Sequence, residues 1–457
     1  MGRGKRLTQQ AAFSVLVLGL GGSMALAQTL DSPITATIGL SSGVTVYSNK
    51  FLDAVSPGTT IDASEKLSFS LGTQNSIQSL SLSGSASLSI TDIGGAAITY
   101  VSEPRVTLSY ARDTGNSTLD ASANFWNGTV VSSFDLDPTD AVFLVVDTGT
   151  LTTVGASLAF STGINAPLGL SLSASVKDNS YAGTSNPALF DATTTKLGAS
   201  ANLRLSPSTQ GALSANYTNY DSSDLTSTRR QTTDFGLSIS QELASALVIN
   251  GNAGFRQEDT TAGGPTTTTS GFFGGIDVVR SLPDGSIFGG IAFDASGGAN
   301  NTSLTLGRAV DLRNGSLRAS LEANKSVGSP VQLLGSAAYS VDMPSGTISL
   351  DLKQSLTTDQ TDQDIKVSSL GIDYSRALNA SSSLNLSMDV SRTEDGGAGA
   401  ADTLNRANLS ATYSRALTDK WNMQLGYSRR LSSGSAAPSV NSDTIFLTLT
   451  RDIQFGF

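Results

Sequence analysis

The chain has no cysteine and no histidine among its 457 residues. Without cysteine there are no disulfides and no thiolate chemistry. Without histidine the commonest general base, the commonest zinc ligand and any Ser-His-Asp triad are missing. Asp and Glu are scattered through polar stretches with no shared apolar setting, so paired catalytic carboxylates are not indicated. We therefore expect no enzyme activity, no cofactor and no metal centre.

Charge is also scarce. Charged residues make up 14% of the chain, whereas about 25% is usual in soluble domains. Ser, Thr, Asn and Gly are abundant instead. This composition suits a protein surface that faces hydrocarbon on one side and water on the other. The formal net charge is −10, so a nucleic-acid partner, which would require a basic surface, is not expected. No apolar run reaches the roughly 18 residues of a transmembrane helix.

The first 27 residues are typical of an export signal. Three basic residues precede an apolar stretch at 11–20 that is too short to span a bilayer, and Ala25-Leu26-Ala27 matches a signal peptidase site. We expect cleavage before Gln28, which would change the formal charge from −10 to −13 because residues 1–27 carry three positive charges and no Asp or Glu. An uncleaved anchor is the alternative interpretation.

After the signal, apolar and polar residues alternate over stretches of about ten residues, which predicts β-strands with one apolar and one polar face. The segments 195–205, 316–324 and 384–390 show the pattern clearly. In the first of them the apolar positions are Leu197, Ala199, Ala201, Leu203 and Leu205.

The predicted strands form hairpins in which tight polar turns alternate with longer loops rich in Gly, Asp and Thr. Turn-forming residues cluster at 206–210, 282–285, 312–315 and 343–346. The first strands of ten hairpins begin near residues 67, 105, 151, 195, 232, 270, 303, 332, 366 and 406. Together with a lone strand near Ile34–Tyr47 and a closing strand near 444, they predict about 22 strands, within a range of 18 to 24.

Three all-β architectures compete for this pattern. A soluble sandwich would normally be shorter and would bury its apolar face against a second sheet. A β-solenoid would repeat every 20–30 residues or so, whereas the hairpins here repeat about every 38. A transmembrane barrel must close on itself, and it has short turns on one side and longer loops on the other. The spacing favours the barrel.

The C-terminus supports the same fold. Six apolar residues of the last strand share one parity, and the chain ends on an aromatic residue: Ile445, Leu447, Leu449, Ile453, Phe455, Phe457. This segment resembles the terminal strand of bacterial outer-membrane β-barrels, which ends in Phe and is recognised by the barrel assembly machinery. The resemblance covers the architecture of residues 28–457 and names no specific family. It implies a single antiparallel up-and-down barrel of porin-like architecture in the cell outer membrane, although 6% aromatic residues is few for two full girdles.

If Phe457 lies on the periplasmic side, the tight turns lie there too. Five arginines near those turns share the parity of the lipid-facing residues: Arg280, Arg308, Arg376, Arg415 and Arg451. Their stems can cover apolar surface while the guanidinium groups reach lipid phosphates. We interpret them as lipid anchors, and a docking ring for a periplasmic partner is the alternative.

The opposite parity predicts a polar lumen with sparse charge of both signs: Lys196, Arg204, Arg256, Arg318, Glu322 and Lys353. A barrel of about 22 strands would be roughly 45 Å across. Only a few residues separate Gln28 from the first strand, so we expect no plug domain in the chain, nor a TonB-dependent transporter with its own plug. The longest connection, near 127–148, is the candidate constriction loop, with Asp135, Asp137, Asp140 and Asp147 making an acidic opening. The alternative is that part of it is strand and the rest an external loop.

Acidic pairs in the predicted outer loops, such as Glu258/Asp259 and Glu394/Asp395, keep those loops solvated and could contact lipopolysaccharide through divalent cations. Outer-membrane lipids, lipopolysaccharide and the assembly machinery are the expected partners. Two functions remain open: a passive channel for small hydrophilic solutes or a polar polymer, and a non-conducting structural or surface-binding barrel.

Overall fold

Twenty-two β-strands build the part of the chain that the structure describes. A computed structural model describes residues 34–50, 52, 55–56, 58–93, 96–130, 149–184, 189–244, 246–295, 300–327, 330–358, 364–395, 403–435 and 439–456. The strands are β1 (Ile34–Tyr47), β2 (Thr60–Gln74), β3 (Gln78–Ile93), β4 (Ala96–Asp113), β5 (Ser117–Thr129), β6 (Thr150–Thr162), β7 (Leu168–Ala182), β8 (Ala192–Ser206), β9 (Thr209–Ser222), β10 (Arg229–Ala244), β11 (Leu247–Thr261), β12 (Thr267–Leu282), β13 (Gly285–Asp294), β14 (Asn301–Leu312), β15 (Gly315–Ser326), β16 (Gln332–Met343), β17 (Gly346–Thr358), β18 (Asp364–Asn379), β19 (Ser382–Asp395), β20 (Thr403–Ala416), β21 (Trp421–Gly434) and β22 (Val440–Gly456).

The strands form one antiparallel sheet that closes into a barrel. Each strand pairs with its neighbours in sequence, and β1 pairs with β22 from Thr35↔Gly456 to Tyr47↔Thr444. Closure gives every strand a partner on both sides, which is the condition for crossing hydrocarbon with strands. The predicted fold and strand number are confirmed. No helix in the described ranges is long and apolar enough to span a membrane.

Alternation along each strand separates two surfaces. The apolar parity faces outward and is exposed, as Val44 (48%), Leu172 (56%) and Leu306 (62%) show. The other parity faces the lumen and is mostly Ser, Thr, Asn and Gly. Among the described residues few apolar side chains are buried, so the apolar surface lies on the outside of the wall, where lipid can cover it.

The connections differ at the two ends of the barrel. At one end they are two to five residues long. At the other end they are five to twenty residues long, apart from the two residues between β3 and β4. The turns predicted at 206–210, 282–285, 312–315 and 343–346 all lie at the first end, which also holds Ile34 and Gly456. We call these the turn end and the loop end.

Two strands begin much earlier than the alternation predicts. β2 starts at Thr60 rather than near 67, because Glu65 interrupts the apolar parity. Its carboxylate accepts a hydrogen bond from Ser42 Oγ on β1 at 2.6 Å. β4 starts at Ala96 rather than near 105, because a bulge opposite Ser85 and Ser87 reverses the parity. Glu103 in this bulge has a φ of 52°, and such bulges bend a strand locally.

Glycine and phenylalanine face each other on neighbouring strands at three places on the lumen side. The cross-strand pairs are Gly254↔Phe273, Gly307↔Phe288 and Gly426↔Phe446. In each pair the ring covers the glycine so closely that a Cβ there would lie 2.2 Å from it. Large side chains in the lumen wall thus lie flat against the sheet.

Candidate functional site

The lumen surface is the candidate functional site, and its composition follows from strand parity. On β3 the inward positions are serine at six successive alternate residues: Ser79, Ser81, Ser83, Ser85, Ser87 and Ser89. Hydroxyls also pair across strands, as in Ser122–Ser157 at 2.7 Å and Ser320–Ser336 at 2.7 Å. The wall therefore offers small donors and acceptors that water or a polar solute can bind.

All six charges predicted for the lumen lie on the inward parity: Lys196, Arg204, Arg256, Arg318, Glu322 and Lys353. The structure does not bring them together as one group. Arg318 lies over the ring of Phe288, with its guanidinium carbon 4.3 Å from the ring centre. Their role in solute passage stays a prediction.

Arg256 is the centre of a charge cluster on the lumen wall. Its Nε donates to Asp234 Oδ1 at 2.7 Å and its Nη1 donates to Asp294 Oδ2 at 3.0 Å. Its guanidinium also stacks over Phe273 at 5.3 Å. β10, β11 and β13 each supply one of the charged residues, so the cluster ties together strands that are not all adjacent. Alternation predicted Arg256 but could not predict these partners.

A second polar cluster lies at the loop end beside the closing pair of strands. Lys50 Nζ donates to Asp62 Oδ2 at 2.5 Å and to Thr91 Oγ1 at 3.3 Å. Both charged side chains are largely buried, at 16% and 13% exposure. Nearby inward hydroxyls are closed to solvent as well, including Thr60 and Ser442. Sequence reasoning missed this cluster, because Lys50 follows a predicted strand and Asp62 precedes one.

The five predicted rim arginines all lie near the turn end on the outward parity. Arg451 stacks on Trp421, with 5.6 Å between its guanidinium carbon and the ring centre. Arg308 is paired with Asp284 at 2.9 Å. Outward aromatic residues lie along the same end: Tyr110, Tyr339, Tyr374, Tyr413 and Trp421. This placement suits anchoring at a lipid interface, which stays a prediction.

Several predicted features lie outside the described residues. They are the signal at 1–27, the four aspartates of the candidate constriction loop (Asp135, Asp137, Asp140, Asp147) and Phe457. The described neighbours show that β5 runs to Thr129 and that β6 begins at Thr150. The predicted connection between strands five and six is thus present, and its start at 127 was too early. Phe455 lies on the outward face and is 42% exposed.

The acidic pairs expected in outer loops mostly belong to strands. Glu258 and Asp259 lie in β11, and Glu394 and Asp395 lie in β19. On the lumen face, Glu258 Oε1 lies 3.7 Å from Nε of Arg230 on the neighbouring strand β10. Glu394 Oε1 lies 2.6 Å from Nε of Arg392 on the same strand. No group of three or more potential metal ligands occurs within the described ranges. The strands at the loop end extend further than the sequence pattern indicates.

Asp224 is a loop carboxylate whose environment is well defined. It lies between β9 and β10, and its Oδ1 accepts from the Thr228 amide at 2.8 Å while its Oδ2 accepts from the Thr228 hydroxyl at 2.6 Å. Burial opposes ionisation, but these bonds and those from Thr226 outweigh it and lower the pKa of Asp224. These hydrogen bonds hold the loop between β9 and β10 folded around the Asp224 carboxylate.

Comparison with known proteins supports the fold. No protein-family model and no curated protein sequence matches the chain. The barrel is similar to the FrpB iron transporter from Neisseria meningitidis, with a TM-score of 0.63, 10% identity, and coverage of 92% of this chain and 81% of that one.

Two further solved structures are similar to it. The ferric enterobactin receptor PfeA from Pseudomonas aeruginosa gives a TM-score of 0.59 at 12% identity, covering 92% of this chain and 81% of that chain. The siderophore receptor PirA from the same organism gives a TM-score of 0.55 at 10% identity, and the match covers 92% of this chain and 80% of that chain. At these identities the similarity concerns the fold.

The chain has the fold of bacterial outer-membrane barrels. The apolar outer surface and the closed sheet make it a membrane-spanning protein of that kind.

Proposed function

We propose that the protein is an outer-membrane conduit that lets hydrophilic solutes, or a polar polymer, pass through its lumen. The observation that carries this proposal is the polar inner face, which continues around all 22 strands. Twenty-two strands tilted in the usual way enclose a cylinder roughly 45 Å across at the backbone. The similar iron transporter and siderophore receptors support a transport role at the level of the fold only.

Charge of both signs lines the lumen, and some of these charges are paired with each other, as in the cluster of Arg256 with Asp234 and Asp294. A wall of this kind attracts neither cations nor anions strongly. We therefore expect weak ion selectivity.

A second candidate is a non-conducting barrel that presents its loops. It is favoured by the burial of inward residues at the loop end, where Thr60 is 1% and Ser442 is 0% exposed. Solvent does not reach those positions of the wall.

One experiment separates the two functions. The purified protein is reconstituted into a planar lipid bilayer, after a heat-dependent mobility shift in mild detergent has shown that the barrel is folded. Stable single-channel steps support the conduit, whereas silence from a folded barrel would refute it and support the second candidate.

A further inference from the structure

The ladder between β16 and β17 ends before the strands do. It runs from Met343↔Gly346 to Ser336↔Lys353, although β16 continues to Gln332 and β17 continues to Thr358. Residues 332–335 and 354–358 are therefore not paired with each other, while each segment stays paired with its other neighbour. Backbone groups facing such a gap require hydrogen-bond partners.

A side chain bridges the outer side of this gap. With its amide oriented so that both atoms are satisfied, Gln354 Nε2 donates to the Leu333 carbonyl at 3.0 Å. In the same orientation its Oε1 accepts from Ser368 Oγ at 3.0 Å and from Lys366 Nζ at 3.2 Å. Gln354 thus replaces one rung of the ladder between the two strands.

A cavity of about 410 Å³ occupies the gap and the adjoining lumen wall. Inward side chains of β14, β15 and β17 line it, including Asn301, Asn324, Glu322 and Lys353. This volume falls within the range of small-ligand pockets, roughly 300–1,000 Å³. It is far too small for a folded partner.

Two asparagines line the cavity, and one of them has a buried oxygen without a hydrogen-bond partner. Asn301 Oδ1 is closed to solvent and has no hydrogen-bond partner among the described residues. Asn324, which lies on β15 opposite Ser303, is only 7% exposed. The wall of the cavity beside these residues is therefore polar and not fully hydrogen-bonded within the protein.

Charges of opposite sign border the same cavity. Glu322 is paired in the ladder with Leu334, and Lys353 with Ser336, so the two lie on β15 and β17 with β16 between them. That separation is about 10 Å across the strands. Within the described part of the chain neither side chain forms an ion pair. Both charges are therefore available to a ligand that carries a positive group and a negative group.

We propose that this cavity binds a short zwitterionic peptide that enters from the lumen. Its ammonium group lies at Glu322, and its carboxylate lies at Lys353. Its backbone crosses the inner face of β16, since the roughly 10 Å between the strands of Glu322 and Lys353 suits an extended tripeptide. A neutral sugar would leave both charges without partners.

The binding test uses the whole barrel in detergent, with trialanine as the probe and isothermal titration calorimetry as the measurement. We expect trialanine to bind, the N-acetylated and C-amidated form to bind at least about tenfold more weakly because it lacks both end charges, and maltose not to bind. Equal binding of the capped peptide, preference for maltose, or no binding of trialanine would each overturn the proposal.

Two variants locate the site. Glu322→Gln and Lys353→Gln should each weaken trialanine binding by about tenfold, while Lys196→Gln, which removes a lumen charge outside the cavity, should leave it unchanged. A heat-mobility gel confirms that each variant is folded. Wild-type affinity in both cavity variants, or an equal loss in Lys196→Gln, contradicts the assignment.

The inference names a solute class for the proposed conduit, and so rests on that function for its biological meaning. Binding in detergent does not depend on conduction. A barrel that binds trialanine but is silent in bilayers refutes the conduit alone, and one that conducts but does not bind refutes the peptide site alone.

Discussion

Phe446 of β22 lies directly opposite Gly426 of β21 on the lumen face, and its ring occupies the space that a side chain at position 426 would take. A Cβ on residue 426 would lie 2.2 Å from Cζ and 2.3 Å from Cε1 of Phe446. The glycine is required for the close approach of the ring to the backbone. Aromatic residues covering glycine in this way stabilise a strand pair that glycine alone would weaken.

Replacing Gly426 with alanine should therefore destabilise the barrel, because the ring of Phe446 has to leave its position. Overpacking of this kind costs about 1–3 kcal/mol. The measurement is the temperature at which the folded form is lost on a mild detergent gel. Gly72→Ala is the matched control, since the nearest atom to a Cβ at that inward glycine is 3.6 Å away. An equal effect of both substitutions would show that the ring contact is unimportant.

Arg256→Gln should lower stability and also shift ion selectivity toward cations. The substitution leaves Asp234 and Asp294 without their shared cation, at a cost of about 1–2 kcal/mol after screening by water in the lumen. Arg204→Gln removes the same charge from the lumen wall. Reversal potentials in a salt gradient should shift for both variants, and heat stability should fall only for Arg256→Gln. Unchanged stability in Arg256→Gln would mean that the cluster contributes little.

The double variant Arg376→Ala/Arg415→Ala should weaken insertion into lipid vesicles without changing channel behaviour. Both residues lie on the outward parity near the turn end, where their stems can cover apolar surface. The measurement is the yield of folded barrel in vesicles containing anionic lipid. Arg313→Ala, in the turn between β14 and β15, controls for loss of charge alone. Normal insertion with loss of a specific complex would support the docking ring instead.

The loop between β9 and β10 should open as the pH falls. The hydrogen bonds from Thr228 and Thr226 lower the folded-state pKa of Asp224 despite the opposing effect of burial. A lowered pKa gives stability that is present above the unfolded-state value and is lost as the pH falls through the folded-state value. Hydrogen exchange of the segment 223–229, corrected for the intrinsic rate, measures this opening.

Asp224→Asn is the control for that loop. The amide keeps an acceptor oxygen for the Thr228 N–H but does not titrate, so protection should become independent of pH. Protection that still falls with pH in this variant would place the titrating group elsewhere.

Local sequence determined a large share of this fold. Residues two apart on a strand lie on the same face whatever the strand pairs with, so alternation at 195–205 identified both the lipid face and the lumen face before any partner strand was known. Turn-forming residues marked the hairpins because their backbone preferences are also local. Counting the hairpins gave 22 strands. The pattern failed most where a residue broke its period, at Glu65 on the lipid face and at the bulge of Glu103. It also ended several strands too early at the loop end, as at Glu258 and Glu394.

Tertiary structure alone decided which strands meet and in what register. The closing pair Tyr47↔Thr444 joins residues near opposite ends of the chain, and no local pattern encodes such a contact. The same holds for Arg256 with Asp234 and Asp294, and for the early end of the ladder at Ser336↔Lys353. Alternation places a side chain on a face, but its neighbours across strands depend on the register of the whole closed sheet, because a shift in one strand changes every cross-strand contact it makes.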